Sequence, residues 1–172
     1  MQRMLCVIDY QNDFVTGALG SGAADAIAPA LVERIEEYVS RGDCVCFTRD
    51  AHDPSVYSGS CEGRNIPPHC VVGTPGYELD PRVAPYAEGR RIFDKETFGS
   101  PELAEYVRSL RPDEVEVAGV ATNICVIANA ILIRTYVPDV RVFVDRRCVA
   151  SYDQAVDDAA LDVMRSMCID VV

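Results

Sequence analysis

Apolar residues along this 172-residue chain follow two periods that alternate. Met4-Leu-Cys-Val-Ile8 is an unbroken apolar run closed by Asp9, the pattern of a parallel strand buried on both faces. Thr16 to Gly22 reads as a Gly-rich connection. Ile27, Leu31, Ile35 and Tyr38/Val39 then recur at helical spacing, with Pro29 in the first turn and Arg41-Gly42 at the close. That spacing and that ending predict a helix. Cys44-Val-Cys-Phe-Thr48 predicts a second strand and Arg91-Ile-Phe-Asp94 a short third. Ser100 followed by Pro101 marks a helix start, with Leu103, Val107 and Leu110 on its inner face. Glu114-Val-Glu-Val-Ala118 predicts a fourth strand, running through Gly119-Val-Ala-Thr-Asn123 into a helix from Cys125 to Tyr136. Val140 to Val144 predicts the fifth strand. Ser151-Tyr-Asp-Gln154 fits a capping box, Val156, Ala160, Val163 and Met167 form the stripe of its helix, and Cys168 to Val172 predicts a sixth strand.

Strands alternating with helices in this way predict an α/β fold: a three-layer, doubly wound, mostly parallel six-stranded sheet. Residues 1–172 read as one domain with one core. Such sheets place their sites at the carboxyl ends of the strands. Asp9, Asp50, Lys95 and the 119–125 turn all follow strands there. The periodicity fails between Ala51 and Gly89, where Pro54, Pro67, Pro68, Pro75, Pro81 and Pro85 exclude a long helix or a central strand. A loop of about 50–89 in a compact domain points to function.

Composition narrows the partners. At 49% hydrophobic and 25% charged residues the chain is an ordinary globular one. Its net charge of -11 speaks against nucleic acid, which needs clustered Lys and Arg, and gives no support for binding an acidic membrane. No apolar run approaches the roughly 20 residues of a membrane span. The start, Met1 to Leu5 and on to Asp9, is too short and too soon charged for a signal peptide, so a cytoplasmic location is expected. Eight cysteines raise the question of a disulfide scaffold, but the domain is larger than those that need one. Without a C-x-x-C pair, a four-cysteine zinc site or a thioredoxin-like motif finds no support. Cys6, Cys44, Cys46 and Cys168 lie in strand-like apolar runs and read as small core hydrophobes. Cys125 is the exception.

Cys125 lies where a strand gives way to a helix, after a small flexible turn. Free backbone N–H groups and the positive dipole end there favour a thiolate and can hold an oxyanion. A core Cys in a first helical turn fits that position too. Asp9 closes a buried strand, where a carboxylate is costly unless paired. Lys95 could supply the positive partner, or could be a solvated surface lysine. The loop holds Asp50-Ala-His52, Glu62 and His69, and those are the only histidines. In an extended segment, positions 50 and 52 face one side. Two imidazoles with two carboxylates suit zinc, iron or manganese.

Taken together, Val7-Ile-Asp9-Tyr-Gln-Asn-Asp13-Phe14, Asp50-Ala-His52, Pro67-Pro-His69-Cys70, Phe93-Asp-Lys95 and Gly119-Val-Ala-Thr-Asn-Ile-Cys125-Val126 resemble the isochorismatase-like cysteine hydrolases, specifically their nicotinamidase/pyrazinamidase branch. The likeness runs over nearly the whole chain. It implies that Asp9 takes the proton from Cys125, that Lys95 stabilises the charged groups, and that Cys125 attacks a carboxamide carbon to leave a thioester. It implies an oxyanion hole from the backbone N–H groups of Ala121 and Cys125, after a cis Val120–Ala121 peptide. It further implies one divalent ion, zinc by availability with iron or manganese admissible, on Asp50, His52 and His69. Glu62 is the choice for a fourth ligand, with Asp53 and Ser60 as alternatives. In the family an aromatic residue before Pro-Pro-His stacks on the substrate ring. Here that residue is Ile66, leaving Phe14 as the aromatic wall. The implied substrate is a small amide, nicotinamide first and another small amide or an N-carbamoyl compound second. Isochorismatases proper lack the nucleophilic Cys, so Cys125 speaks against vinyl-ether hydrolysis. A metal-binding relative without enzymatic activity is the alternative of another class, and the complete Asp9, Lys95, Cys125 set speaks against it. A homo-oligomer is compatible with the family, although no interface can be read from the sequence.

Overall fold

The computed structural model describes residues 2–172, so Met1 lies outside the described residues. Seven parallel-paired strands form the sheet: β1 (Arg3–Ile8), β2 (Cys44–Asp50), β3 (Arg91–Lys95), β4 (Glu114–Val120), β5 (Arg141–Val144), β6 (Val149–Ala150) and β7 (Asp170–Val171). Their order is β3-β2-β1-β4-β5-β7, with β6 joining the far end of β4. The apolar pattern predicts six strands because the two-residue β6 carries no period of its own. Helices α1 (Asn12–Val15) and α2 (Gly22–Ala26) bracket the Gly-rich connection, and α3 (Ala28–Arg41) follows at once. Gly42 ends α3 at φ 74°, the left-handed cap that glycine adopts without penalty. The long loop holds only the single-turn α4 (Ala84–Ala87) and two short 3-10 turns. Then come α5 (Pro101–Leu110), α6 (Ile127–Tyr136) and α7 (Gln154–Ser166).

Strand alternation divides β1 between two cores. Met4, Cys6 and Ile8 pack with Leu103 and Val107 of α5, Ala130 and Ile133 of α6 and Leu161 of α7. Leu5 and Val7 pack with Leu31, Ile35 and Tyr38 of α3 and Ala24 of α2. The sheet is therefore covered on both faces, which is why β1 and β4 are buried along nearly their whole length.

Four local expectations need correction. Asp153, not Ser151, caps α7: its carboxylate accepts from the Ala155 and Val156 N–H groups. The Ser151 hydroxyl is engaged elsewhere, with Asn123. With the start set by Asp153, the buried row of α7 is Asp157, Ala160, Leu161 and Met164, while Val163 and Met167 are exposed. Cys168 is exposed at a left-handed φ of 59°, outside the last strand. The turn that holds Cys125 is a π-helical one, Thr122–Val126, preceding α6.

The strand order reverses at β1, whose neighbours are β2 on one side and β4 on the other. Ligands bind such sheets in the crevice outside the carboxyl ends at that switch point. Asp9 leaves β1 there, and Cys125 follows β4 there.

Candidate active site

Asp9 follows β1 with φ 45°, a left-handed conformation that Asp tolerates better than most residues. Thr48 of β2 holds it twice: the hydroxyl accepts from the Asp9 N–H at 3.1 Å and donates to Oδ1 at 2.6 Å. Lys95 and Asp50 end neighbouring strands and face each other in the β2–β3 register. The buried Lys95 ammonium lies 2.6 Å from Asp9 Oδ2, 3.2 Å from Asp50 Oδ1 and 3.5 Å from Cys125 Sγ. The ammonium donates to Asp50 and towards Cys125 and forms an ion pair with Asp9.

Gly119 makes the juxtaposition of β1 and β4 workable. At φ 112° it sits opposite Ile8, and a Cβ there would lie 2.1 Å from the Ile8 carbonyl oxygen. The Val120–Ala121 peptide is cis. The π turn then brings Cys125, 4% exposed, to Lys95. Asn129, which carries no signal in the sequence, and Ser151, expected there as a helix cap, anchor this turn. Asn129 donates to the Cys125 carbonyl at 2.8 Å and to that of Phe98 at 3.1 Å, and accepts from the Ser100 N–H at 2.9 Å. Ser151 accepts from the Asn123 N–H and donates to its side-chain oxygen.

Burial raises the Asp9 carboxyl above its ordinary range, against the opposing Lys95 charge. Burial also lifts the Cys125 thiol well above its usual value, with Asp9 adding to the effect and Lys95 opposing it. Burial disfavours the Lys95 charge, but Asp9, Cys125 and Asp50 outweigh it and hold the ammonium charged. The resting charges are thus an ion pair beside a neutral thiol. Burial beside a carboxylate works against the thiolate that a helix start favours.

Beside this trio, Asp50 Oδ2 lies 3.0 Å from His52 Nε2 and 3.1 Å from His69 Nε2. Glu62 Oε1 is 3.7 and 3.6 Å from the same two nitrogens. One ligand atom from each of the four residues falls within 4.8 Å of the others. Asp53 is instead engaged by Ser55, and the Ser60 hydroxyl by the Gly63 N–H. The loop is locked by its backbone: the His52 N–H donates to the Cys70 carbonyl, and Asp13 accepts from the Cys70 N–H at 2.8 Å.

The donor set fits a cation. His69 Nδ1 is 2.9 Å from the Pro67 carbonyl oxygen, an acceptor that fixes the proton on Nδ1. With a cation bound, the neutral ring would present its Nε2 lone pair alongside the two carboxylates, an arrangement of acceptors that a positive ion satisfies. Tyr57 also reaches His69 Nδ1, at 3.2 Å, and its ring packs 4.4 Å from that of His52. No sequence signal marked Tyr57. A divalent metal is supported by this group, without a choice among metals. Phe14 meets the His69 ring edge-on at 5.3 Å, and Ile66 lines the same pocket.

The isochorismatase domain family model matches residues 3–172. The chain is 34% identical to the nicotinamidase/pyrazinamidase of Mycobacterium tuberculosis, across 99% of this chain and 98% of that one. It superposes with a TM-score of 0.89 on the crystal structure of a nicotinamidase from Bacillus subtilis, at 28% identity over 100% and 99% of the two chains. The pyrazinamidase of Pyrococcus horikoshii, solved in complex with zinc, gives a TM-score of 0.88 at 31% identity over 100% and 99%.

Proposed function

The chain belongs to the isochorismatase family, and from that premise we propose that it is a metal-containing cysteine amidohydrolase that converts nicotinamide and water to nicotinate and ammonia. The observation that carries this reading is the Asp9–Lys95–Cys125 trio at 2.6 and 3.5 Å, joined through Asp50 to the two-histidine, two-carboxylate group. The relatives named for this reaction support the same substrate.

Cys125 Sγ attacks the carboxamide carbon as its proton passes to Asp9. Burial raises the Asp9 carboxyl and the Cys125 thiol alike, so the transfer rests on the placement of both groups around the Lys95 ammonium. Lys95 stays charged and balances the anionic groups as the proton moves. The backbone N–H groups of Ala121 and Cys125 hold the oxyanion. Asp9 returns the proton to the leaving nitrogen, so that ammonia departs and a thioester remains. Water then cleaves the thioester, giving the carboxylate and restoring the thiol. Asp50, His52, His69 and Glu62 would hold the metal, zinc first and iron or manganese as alternatives. When bound, it supplies a Lewis-acid anchor for the ring nitrogen of the substrate.

Residues 1–172 act as a single hydrolase domain in the cytoplasm, where eight free thiols are at home. Among the described residues no helix is long and apolar enough to cross a membrane. Ile66, where the family often has an aromatic residue, favours a second reading as a hydrolase of other small amides or N-carbamoyl compounds. Ammonia release measured across nicotinamide, pyrazinamide and N-carbamoyl amino acids decides between them. Turnover confined to the carbamoyl compounds would sink the nicotinamidase reading.

A further inference from the structure

The space next to Cys125 is small, and the space behind it is not. The pocket bounded by Asp50, His69 and Cys125 measures about 40 Å³. A second cavity of about 390 Å³ adjoins it, and the two share Phe14, Leu19, Ile66, Ala121 and Ile124 as walls. The larger one continues past Ala24 of α2, Val120, Ala150 of β6 and the exposed Tyr152. Among the described residues no charged side chain lines it. Its two serine hydroxyls are already engaged, Ser21 as the cap of α2 and Ser151 with Asn123.

Resting on the proposed amidase reading, we infer that this cavity is a subsite for the distal part of the substrate. The preferred substrates are then aromatic carboxamides that carry a neutral apolar substituent. Its volume lies in the roughly 300–1,000 Å³ range of sites for ligands larger than a bare six-membered ring. The walls are apolar, so burying an alkyl group there is favourable by the area it removes from water. They also reject a charge: a carboxylate or phosphate in the cavity would lose its water and meet no cation. The five walls shared with the Cys125 pocket make the occupant an extension of the reacting molecule rather than a separate ligand. Leu19, Phe14 and Ile66 stand at the junction, where an aromatic side chain in place of Ile66 would narrow the passage.

Nicotinamide is compared with isomers that carry a propyl or a carboxyethyl group on each open ring carbon, using kcat/KM for ammonia release. At least one propyl isomer should equal or exceed nicotinamide, and every carboxyethyl isomer should fall about tenfold or more below it. Ala24→Leu, which fills the cavity away from the reacting groups, should cut the propyl isomer by about tenfold and leave nicotinamide unchanged. Tyr152→Ala, at an exposed position that tolerates substitution, should lower the propyl isomer alone if Ala24→Leu does not fold. Good nicotinamide turnover with every propyl isomer refused overturns the subsite and leaves the amidase reading standing. So do equal losses on both substrates in these variants. No turnover of any amide overturns both.

Discussion

Lys95 Nζ lies 3.2 Å from Asp50 Oδ1, while Oδ2 of the same carboxylate faces both histidines. One side chain therefore belongs to the charge cluster around Cys125 and to the ligand group. Asp50 is held well below the usual carboxylate range: burial opposes this, but hydrogen bonds from His52 and His69 and the Lys95 charge prevail. The position of its carboxylate is set by Gln11, whose amide accepts from the Asp50 N–H at 2.8 Å and donates to the Asp50 carbonyl at 2.9 Å.

Asp50→Asn and Glu62→Gln should therefore differ. Each should weaken metal binding, by about 10- to 100-fold on the scale of disturbed metal sites. Glu62 contacts the histidines, whereas Asp50 also contacts Lys95. Saturating metal should restore kcat/KM in Glu62→Gln and leave Asp50→Asn deficient. Metal titration with elemental analysis, followed by ammonia release, measures both. Complete rescue of Asp50→Asn would separate the two clusters.

Cys125→Ala should lose turnover by about a thousandfold or more, as removal of a nucleophile does, and should keep its fold. The side chain is buried in the core, so a modest loss of stability accompanies the change. Equal circular dichroism with no ammonia release is the expected pair of results. Substantial residual hydrolysis would remove Cys125 from the mechanism.

Gln11→Ala should destabilise the protein by roughly 3 kcal/mol or more, because it strips partners from three buried backbone groups at about 1–3 kcal/mol each. The groups are the Asp50 N–H and the carbonyls of Asp50 and Tyr77. Urea denaturation gives the number, and metal affinity should fall with it because Asp50 loses its anchor. Wild-type stability and metal affinity together would show that the amide is dispensable.

These dependencies mark where the sequence stops being readable. The strands that carry the site are legible because burial on both faces writes continuous apolar runs, as in Met4–Ile8, and because chemistry collects where those runs end. The placement of Asp9 and Lys95 at the carboxyl ends of β1 and β3, on either side of β2, follows from that logic. Gln11 lies in a recognisable motif, yet its task depends on backbone 39 positions away. Tyr57 and Asn129 are ordinary residues until the loop and the π turn fold around them. Ser151 was misread because two local acceptors, Ser151 and Asp153, competed for one cap and only tertiary contact with Asn123 decided. The resting state of Cys125 depended on burial and on the Asp9 charge, neither of which is visible from a strand–turn–helix placement.

A pH dependence of stability arises away from the site. Glu116 of β4 is fully buried. Tyr38 donates to it at 2.9 Å, and Arg34 lies 3.4 Å from its other oxygen while also pairing with Asp145 at 2.5 Å. Burial raises the Glu116 carboxyl to about 7, against the opposing Arg34 charge and Tyr38 hydrogen bond. Its unfolded value is near 4.5. Between these values the folded protein binds more protons than the unfolded one, so stability falls as pH rises. The stabilisation is complete below about 4.5 and is lost as pH passes through about 7. From the shift alone it amounts to about 3 kcal/mol. Other carboxylates, such as Asp50, pull in the opposite sense in more acidic solution, so the Glu116 contribution must be isolated by difference. Glu116→Gln keeps the shape and a hydrogen-bonding end while removing the ionisation. Relative to wild type it should be stabilised at pH 8, and that advantage should vanish by pH 5. Thermal denaturation of both proteins from pH 5 to 8 gives the difference curve. A flat difference would mean that Glu116 stays ionised in the folded protein, with Arg34 sufficient to hold its charge.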